Sequence, residues 1–283
     1  MDCQWTALIN VLPLWMRDSV NRLQSNYLQE IRLRVGMEPI LSCMDKQICL
    51  HRPAVKDDLE FCINTASRYS PWASQTISRG FITVLGGHRI GICGTVASQN
   101  GKQLSIRDVS SLCIRIARQF PGIGEKATSI SGNILILGRP GSGKSTLLRD
   151  VIRCKSQMGN VVCVVDERQE LFPCVGGKPC FECGQNTDIL SGCPKAEGID
   201  VAIRVMNPHI IAVDEITAKA DCEALINAGW CGISLIATAH ASGKNDFLER
   251  PIYRPLVESK LFDTLLVLQK DKSWRTERIQ YGN

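Results

Sequence analysis

The sequence predicts an α/β protein with a smaller α+β N-terminal domain and a larger C-terminal domain built on a parallel sheet. In residues 1–120, short alternating apolar runs are separated by turn residues, which is typical of a small, mainly antiparallel sheet flanked by helices. In residues 132–283, buried apolar runs alternate with helical stretches, which indicates parallel strands joined by crossover helices. Residues 121–131 are interpreted as a linker, with a hinge at Pro121–Gly124, because proline and glycine interrupt any regular element there.

The elements of the N-terminal domain are predicted from periodicity and turn residues. Helical spacing predicts a helix over Trp5–Arg17 that breaks near Pro13, and another over Val55–Ser67. Asn100-Gly101 marks a turn. The short runs predicted as strands are Glu30–Val35, Ile40–Cys43, Gly80–Val84, Arg89–Val96 and the alternating run Leu112, Ile114 and Ile116. The hairpin signal Leu85–His88 joins two of them.

The C-terminal domain shows a regular alternation of strands and helices. The apolar runs predicted as strands are Asn133–Leu137, Asn160–Val165, His209–Val213 and Ser234–Ala239. The predicted helices are Lys144–Met158, Ala196–Met206 and Lys219–Ala228. Parallel strands need crossover connections of this length, so one continuous sheet with helices on both faces is expected.

Composition narrows the class of protein. Of the 283 residues, 44% are apolar and 22% are charged, as in soluble globular proteins. The net charge of +5 is spread among acids, and aromatic content is 6%, so no nucleic-acid partner is expected. No apolar run approaches the roughly 18 residues that span a bilayer, and no signal peptide is recognisable, so a cytoplasmic location is expected.

The cysteine count of 14 is high. Many cysteines lie inside apolar runs, where a reduced thiol acts as a small buried apolar group. Without an export signal the thiols are interpreted as reduced. A zinc site at Cys174, Cys180, Cys183 and Cys193 remains an alternative, although only one Cys-x-x-Cys pair is present.

The strongest chemical motif is Gly138-Arg-Pro-Gly-Ser-Gly143-Lys144-Ser145, which fits G-x-x-x-x-G-K-[ST]. It follows an apolar strand and precedes a helix, the context in which backbone amides and a helix N-terminus hold phosphate. We therefore predict a P-loop NTPase with a RecA-like core that binds ATP and Mg²⁺. Lys144 is expected to contact the β- and γ-phosphates, and Ser145 to ligate magnesium. The predicted phosphate-binding residues are Gly138, Arg139, Pro140, Gly141, Ser142, Gly143, Lys144, Ser145 and Thr146.

An acidic pair ends the apolar run Ile210–Val213. Asp214 is predicted to hold magnesium, and Glu215 to orient and deprotonate the attacking water. Because ligands of open α/β sheets bind at the carboxyl ends of the strands, this position adjoins the phosphate loop.

Two further strand ends carry polar residues. The run Asp166–Glu170 follows the strand after the first crossover helix, and its acids, Glu167 and Glu170 above all, are candidates to support catalysis. The strand after the acidic pair ends in Thr238-Ala-His240, where His240 could donate a hydrogen bond to a phosphate oxygen or to ordered water.

These four boxes, in this order, resemble the secretion-type ATPases of type II and type IV secretion and pilus systems. The stretch Arg204–Pro208 also looks like a motif of that superfamily. A narrower resemblance is to the stage III sporulation protein AA family of endospore-forming bacteria. The stretches that carry it are Glu30–Gly36, Gly91–Thr95, Ser105–Asp108, Ile114–Arg118, Asp166–Arg168, Gly192–Gly198 and Val213–Ile216.

The resemblance implies a hexameric ATPase motor in the mother-cell cytoplasm. It would dock on membrane proteins of a sporulation channel between mother cell and forespore, with the N-terminal domain serving assembly and docking. The secretion ATPases have Glu-Asp-x-x-Glu where this chain has Asp166-Glu167-x-x-Glu170, so which acid is the general base stays open, with Glu215 favoured. A nucleotide-dependent switch or scaffold with little turnover is the alternative function, and a nucleic-acid-dependent ATPase ranks last.

Sites of this class often include an arginine from a neighbouring subunit, which stabilises charge in the transition state. The candidates lie in the N-terminal domain and near the hinge: Arg89, Arg107, Arg115 and Arg118.

Overall fold

The computed structural model describes residues 5–23, 27–68, 77, 80–99 and 102–281. Backbone contacts divide the chain into two units. The first consists of Met1–Gln119 together with Pro173–Phe181, and the second consists of Phe120–Phe172 together with Glu182–Asn283. The sequence gives no sign that a segment from the middle of the P-loop half groups with the N-terminal residues.

The helices and strands are numbered in chain order. The α-helices are α1 (Trp5–Val11), α2 (Leu14–Asn21), α3 (Lys56–Arg68), α4 (Lys144–Gln157), α5 (Lys195–Val201), α6 (Lys219–Trp230), α7 (Lys244–Glu249) and α8 (Arg254–Glu258). The strands are β1 (Leu28–Arg34), β2 (Ile40–Cys43), β3 (Gln47–Cys49), β4 (Phe81–Thr83), β5 (Arg89–Gln99), β6 (Lys102–Arg115), β7 (Ile134–Leu137), β8 (Val162–Asp166), β9 (Cys174–Val175), β10 (Lys178–Pro179), β11 (Thr187–Ser191), β12 (Ile210–Val213), β13 (Ser234–Ala239), β14 (Thr264–Leu268) and β15 (Trp274–Arg278).

The first unit contains an antiparallel sheet in the order β3-β2-β1-β6-β5-β4. Ile31 and Leu33 of β1 pair with Ile114 and Leu112 of β6, and all four are buried with residues of α1, α2 and α3. The period-two pattern therefore marks the core face of the sheet. The predicted turn at Asn100-Gly101 lies outside the described residues.

The second unit contains a sheet in the order β11-β8-β12-β13-β7-β14-β15. All neighbouring strands are parallel except β14 and β15, which are antiparallel. Every residue of β7 and β12 is buried, as expected for central strands covered on both faces. The predicted α/β fold class is confirmed.

Three strands of this sheet escape prediction from the sequence. β11 pairs with β8 and extends one edge, whereas β14 lies beside β7 and pairs with β15. Consequently the strand that leads into the phosphate loop has a parallel neighbour on each side. Among the described residues, no helix is both long and apolar enough to cross a membrane.

The segment predicted as a linker is attached to α4 within the second unit. The Asp150 carboxylate, which is buried, accepts hydrogen bonds from the backbone amides of Gly122 and Gly124 at 2.9 and 2.7 Å. A Cβ atom at Gly124 would lie 2.6 Å from the backbone nitrogen of Val151, so only glycine fits against the helix. A change of backbone conformation between Gly122 and Gly124 would therefore have to break these hydrogen bonds.

Candidate nucleotide site

The phosphate loop between β7 and α4 requires glycine at two positions. Gly141 and Gly143 have φ angles of 72° and 106°, where a side chain would be strained. A Cβ atom at either position would meet no other atom within 4 Å, so the backbone conformation and not crowding requires glycine here. The hydroxyl oxygen of Ser142 is buried and has no hydrogen-bond partner. A glycine-rich loop at a helix N-terminus, with a buried hydroxyl that lacks a partner, is consistent with a site for an anion.

Lys144 begins α4 and is only 6% exposed. Its ammonium group donates hydrogen bonds to the carbonyl oxygens of Gly138 and Arg139, at 3.0 and 3.2 Å. Burial lowers the pKa of Lys144, while the charges of Glu215 and Asp214 act in the opposite direction. The lysine is therefore held under the loop as a largely desolvated cation, which strengthens its attraction for phosphate.

Asp214 directly follows β12 and accepts hydrogen bonds from three neighbouring residues. Its carboxylate accepts hydrogen bonds from the Ser145 hydroxyl at 2.9 Å and from the Thr238 hydroxyl at 2.8 Å. The backbone amide of Glu215 donates to both Asp214 and Thr238. The sequence predicted Ser145 and Asp214 as partners of one ion, and the structure brings their oxygen atoms together.

A chain of polar contacts links the loop lysine to Glu215. Lys144 Nζ lies 2.9 Å from His240 Nδ1, and His240 Nε2 lies 2.9 Å from Glu215 Oε1. Because the ammonium can only donate, Nδ1 accepts and Nε2 carries the proton that faces the carboxylate. The second Glu215 oxygen lies 3.4 Å from the Arg168 guanidinium. Glu215 has a φ angle of 32°, which is uncommon for a residue other than glycine. Its backbone amide is shared between Asp214 Oδ1 and Thr238 Oγ1, and these hydrogen bonds stabilise that conformation.

The acidic residues at the end of β8, Asp166 to Glu170, have other hydrogen-bond partners than Asp214 and Glu215. Asp166 is buried, and its carboxylate accepts the backbone amides of Glu170, Leu171 and Phe172 at 2.9, 3.0 and 2.9 Å. Burial raises the pKa of Asp166, and the three amide hydrogen bonds oppose that shift. Asp166 therefore shapes its own loop, and Glu170 enters this bonding through its backbone.

Glu167 is paired with Lys195, a residue that sequence reasoning did not single out. The Lys195 ammonium lies 2.6 Å from Glu167 Oε2 and 3.7 Å from Asp221 Oδ2, and its side chain is 6% exposed. A cavity lined by this pair also reaches Asp214 and Glu215. The signal in the sequence was a single lysine after Cys193-Pro194 at the start of a helix, which does not reveal its partners.

Arg149 is a second buried cation near the site that the sequence analysis did not predict. It lies one helical turn after Ser145 and is 7% exposed, and it donates hydrogen bonds to the backbone oxygens of Leu171 and Glu170 at 2.7 and 3.2 Å. Burial lowers the pKa of Arg149 to about 10, and the charges of Asp166 and Asp214 oppose the shift, so it stays protonated at neutral pH. Its helical spacing from Ser145, i to i+4, was a usable signal, because it places both residues on one face of α4.

The chain was compared with known protein families and with solved structures. The family profile described as "Sporulation stage III, protein AA" matches residues 6–281. The chain belongs to this family. It is 34% identical over 279 residues to stage III sporulation protein AA of Bacillus subtilis (strain 168), covering 94% of this chain and 91% of that protein. The resemblance read from the sequence is thereby confirmed.

Two solved structures illustrate the similarity in fold. The Legionella pneumophila ATPase DotB superposes with a TM-score of 0.57 at 17% identity, covering 94% of this chain and 80% of DotB. The pilus retraction motor PilT, solved with bound ADP, gives a TM-score of 0.61 at 14% identity, covering 92% of this chain and 80% of PilT. At these identities the likeness establishes the fold, which is that of the predicted P-loop ATPases.

The four candidate trans arginines of this family member all lie in the first unit. Arg89 stacks over the Phe81 ring with 3.8 Å to its centroid, and Arg118 donates to the backbone oxygen of Leu28. Arg107 and Arg115 are exposed on β6. Their assignment as trans residues stays a prediction.

The cysteines considered as a zinc site divide between the units. Cys174 and Cys180 belong to the first, whereas Cys183 and Cys193 belong to the second. Over the described part of the chain, no three His, Cys, Asp or Glu side chains are arranged to hold a metal. Burial raises the pKa of the Cys180, Cys183 and Cys193 thiols, so they stay protonated at neutral pH.

Proposed function

We propose that this chain hydrolyses ATP with magnesium, and that it works as a hexamer which energises or assembles a secretion-like membrane channel during sporulation. The observation that carries the proposal is the convergence of Lys144, Ser145, Asp214, Glu215 and His240 at one edge of the parallel sheet. Pure nucleotide binding does not need a carboxylate that is oriented by an imidazole beside the loop lysine.

The chain's own residues divide the work of phosphoryl transfer. The loop amides and Lys144 bind the β- and γ-phosphates and stabilise the charge that develops on them. Glu215 is the general base, because its carboxylate contacts His240 next to Lys144, whereas the Glu167 carboxylate is paired with Lys195 and the described hydrogen bonds of Glu170 involve its backbone. His240 donates Nε2–H to Glu215 and accepts a hydrogen bond from Lys144 at Nδ1. It therefore links the position of the Glu215 carboxylate to that of the loop lysine.

The oxygen donors present fit a magnesium ion. Ser145 and Asp214 would hold it, and both are hard oxygen ligands already within hydrogen-bond distance of each other. When bound, the ion would neutralise charge on the phosphate oxygens. Thr238 and the Glu215 amide keep the Asp214 carboxylate oriented toward Ser145.

Several facts support a role in an assembly. The family is a sporulation family, and the fold is shared with DotB and PilT, the second of which is described as a retraction motor. A ring of six copies, cytoplasmic and peripheral to a membrane complex on the mother-cell side, would place an arginine of one subunit beside the nucleotide of the next. Size measurement with and without ATP tests the ring: six-fold mass with nucleotide is expected, and a monomer under all conditions contradicts it.

Hydrolysis is tested by phosphate release with ATP and magnesium. Wild type is expected to turn over, and Lys144→Ala to lose both binding and turnover. Lys219→Ala is a matched control, since Lys219 also begins a helix but is 78% exposed. Binding without turnover in the wild type would favour the switch or scaffold, and absence of calorimetric binding would refute the nucleotide site.

A further inference from the structure

Lys195 occupies an unusual position for a lysine. It begins α5 directly after Pro194, and its side chain is almost fully buried. A buried ammonium is costly unless carboxylates compensate it, and here Glu167 and Asp221 lie 2.6 and 3.7 Å away. The short distance to Glu167 makes that pair the stronger contact.

The second partner connects Lys195 to the turn after Glu215. Asp221 Oδ2 accepts hydrogen bonds from the backbone amides of Thr217 and Ala218, at 2.9 and 3.0 Å. It is the same oxygen that faces Lys195. The Asp221 carboxylate therefore connects Lys195 to the backbone at Thr217, two residues after Glu215.

The first partner connects Lys195 to the neighbouring strand end. β8 and β12 are paired in register at Val165 and Val213, so Glu167 and Glu215 each lie two residues beyond a paired position, after the ends of adjacent parallel strands. Both glutamates line one cavity together with Lys195. The ammonium between Glu167 and Asp221 offsets the negative charge on the Glu167 side.

We propose that Lys195 is a positioning residue for the hydrolysis proposed above: its ion pairs with Glu167 and Asp221 hold the two acidic strand ends in register, so that Glu215 stays aligned with the phosphate loop. The inference rests on the proposed function, because it assigns Lys195 a role in that reaction. It adds a residue that does not itself touch nucleotide.

The first measurement is ATP turnover and nucleotide affinity in Lys195→Met. Turnover is expected to fall about 10- to 100-fold, because a small displacement of a catalytic group has effects of this size. Nucleotide affinity should stay within about twofold of wild type, since the phosphate loop is not altered. Lys195→Arg should keep most of the turnover, because it preserves the charge.

A second variant tests whether Lys195 acts through its ion pair with Glu167. Lys195→Met and Glu167→Gln each break this pair, and Glu167→Gln alone should lower turnover several-fold. Because both changes remove the same contact, the two losses should not multiply, and turnover of Lys195→Met/Glu167→Gln should lie within about twofold of Lys195→Met. A lysine that only fills space would act independently of Glu167, so the two losses would multiply.

Lys155→Met is the matched control. Lys155 is a second buried lysine of the same unit, and it donates hydrogen bonds to the carbonyl oxygens of Thr128 and Ile130 at 2.9 and 2.6 Å. Its loss should lower Tm while turnover of the folded protein stays within about twofold of wild type.

The outcomes distinguish this inference from the proposed function. If wild type shows no turnover, the proposed hydrolysis fails and the role of Lys195 fails with it. If wild type turns over and Lys195→Met matches it, only the inference is overturned. It is also overturned if the losses of the two single variants multiply in the double variant, or if Lys155→Met lowers turnover as much as Lys195→Met does.

Discussion

Two neighbouring strands of the parallel sheet, β8 and β12, end in the same dipeptide, yet the two Asp-Glu pairs are used differently. Asp166 accepts three backbone amides of its own loop, whereas Asp214 accepts the hydroxyls of Ser145 and Thr238. The first pattern satisfies local structure. The second joins three separate segments at the phosphate loop, so identical residue types do not predict identical roles.

The glutamates differ in the same way. Glu167 contacts Lys195, whereas Glu215 contacts His240 and Arg168. His240 connects Glu215 to the loop lysine, and Glu167 has no comparable link among its described contacts. Partners that are remote in sequence therefore determine which carboxylate can act as a base.

The largest expected effect is on Glu215. Glu215→Gln should reduce turnover by about 100-fold or more, the range for loss of a general base, and leave nucleotide binding intact. Glu167→Gln should stay within about tenfold of wild type, since we assign it a supporting role. Steady-state phosphate release with calorimetric binding measures both. Equal losses in the two variants would remove the distinction between the strand ends.

Asp166→Asn should chiefly reduce stability. The amide can present one oxygen where the carboxylate presented two, so at least one backbone amide at Glu170–Phe172 loses its acceptor. The free energy of unfolding should fall by about 2–4 kcal/mol, judged from hydrogen bonds to charged groups. Asp214→Asn, the matched variant, should unfold close to wild type in urea but lose magnesium-dependent turnover. A reversed pattern would contradict the assignment.

A smaller effect is expected from Thr238→Val, which keeps the volume of a fully buried side chain but removes its hydroxyl. Asp214 loses one donor, while the Glu215 amide keeps its hydrogen bond to Asp214. Stability should fall by about 1–2 kcal/mol. Turnover should drop about tenfold, as for loss of an orienting partner. Urea unfolding and the magnesium dependence of turnover check this, and an unchanged magnesium requirement would argue against the orienting role.

The smallest effect on stability is expected from Arg168→Ala. Its side chain is 59% exposed and lies 3.4 Å from Glu215, so the pair is largely screened by solvent. The free energy of unfolding should change by less than about 0.5 kcal/mol. A loss above about 2 kcal/mol in urea unfolding would show that the Arg168 contact is as structural as the bonding around Asp166.

Local patterns account for much of the fold. The run at Ser234–Ala239 is predicted and observed with the same bounds, and α4 begins at Lys144 as predicted. The predicted helix over Ala196–Met206 is observed as α5 followed by a π-helix at Ala202–Met206. β14 was missed because it follows short helices rather than the regular strand–helix alternation that marked its neighbours.

By itself the sequence determined which segments are buried strands, where the phosphate loop lies and which residue types gather at its edge, because periodicity, glycine conformations and motif spacing are local properties. Only the tertiary structure decided that Asp166 binds the backbone amides of its own loop, and that Lys195 pairs with Glu167. The second of these depends on side chains that are remote in sequence, since a carboxylate takes its role from the donors and cations that the fold places around it.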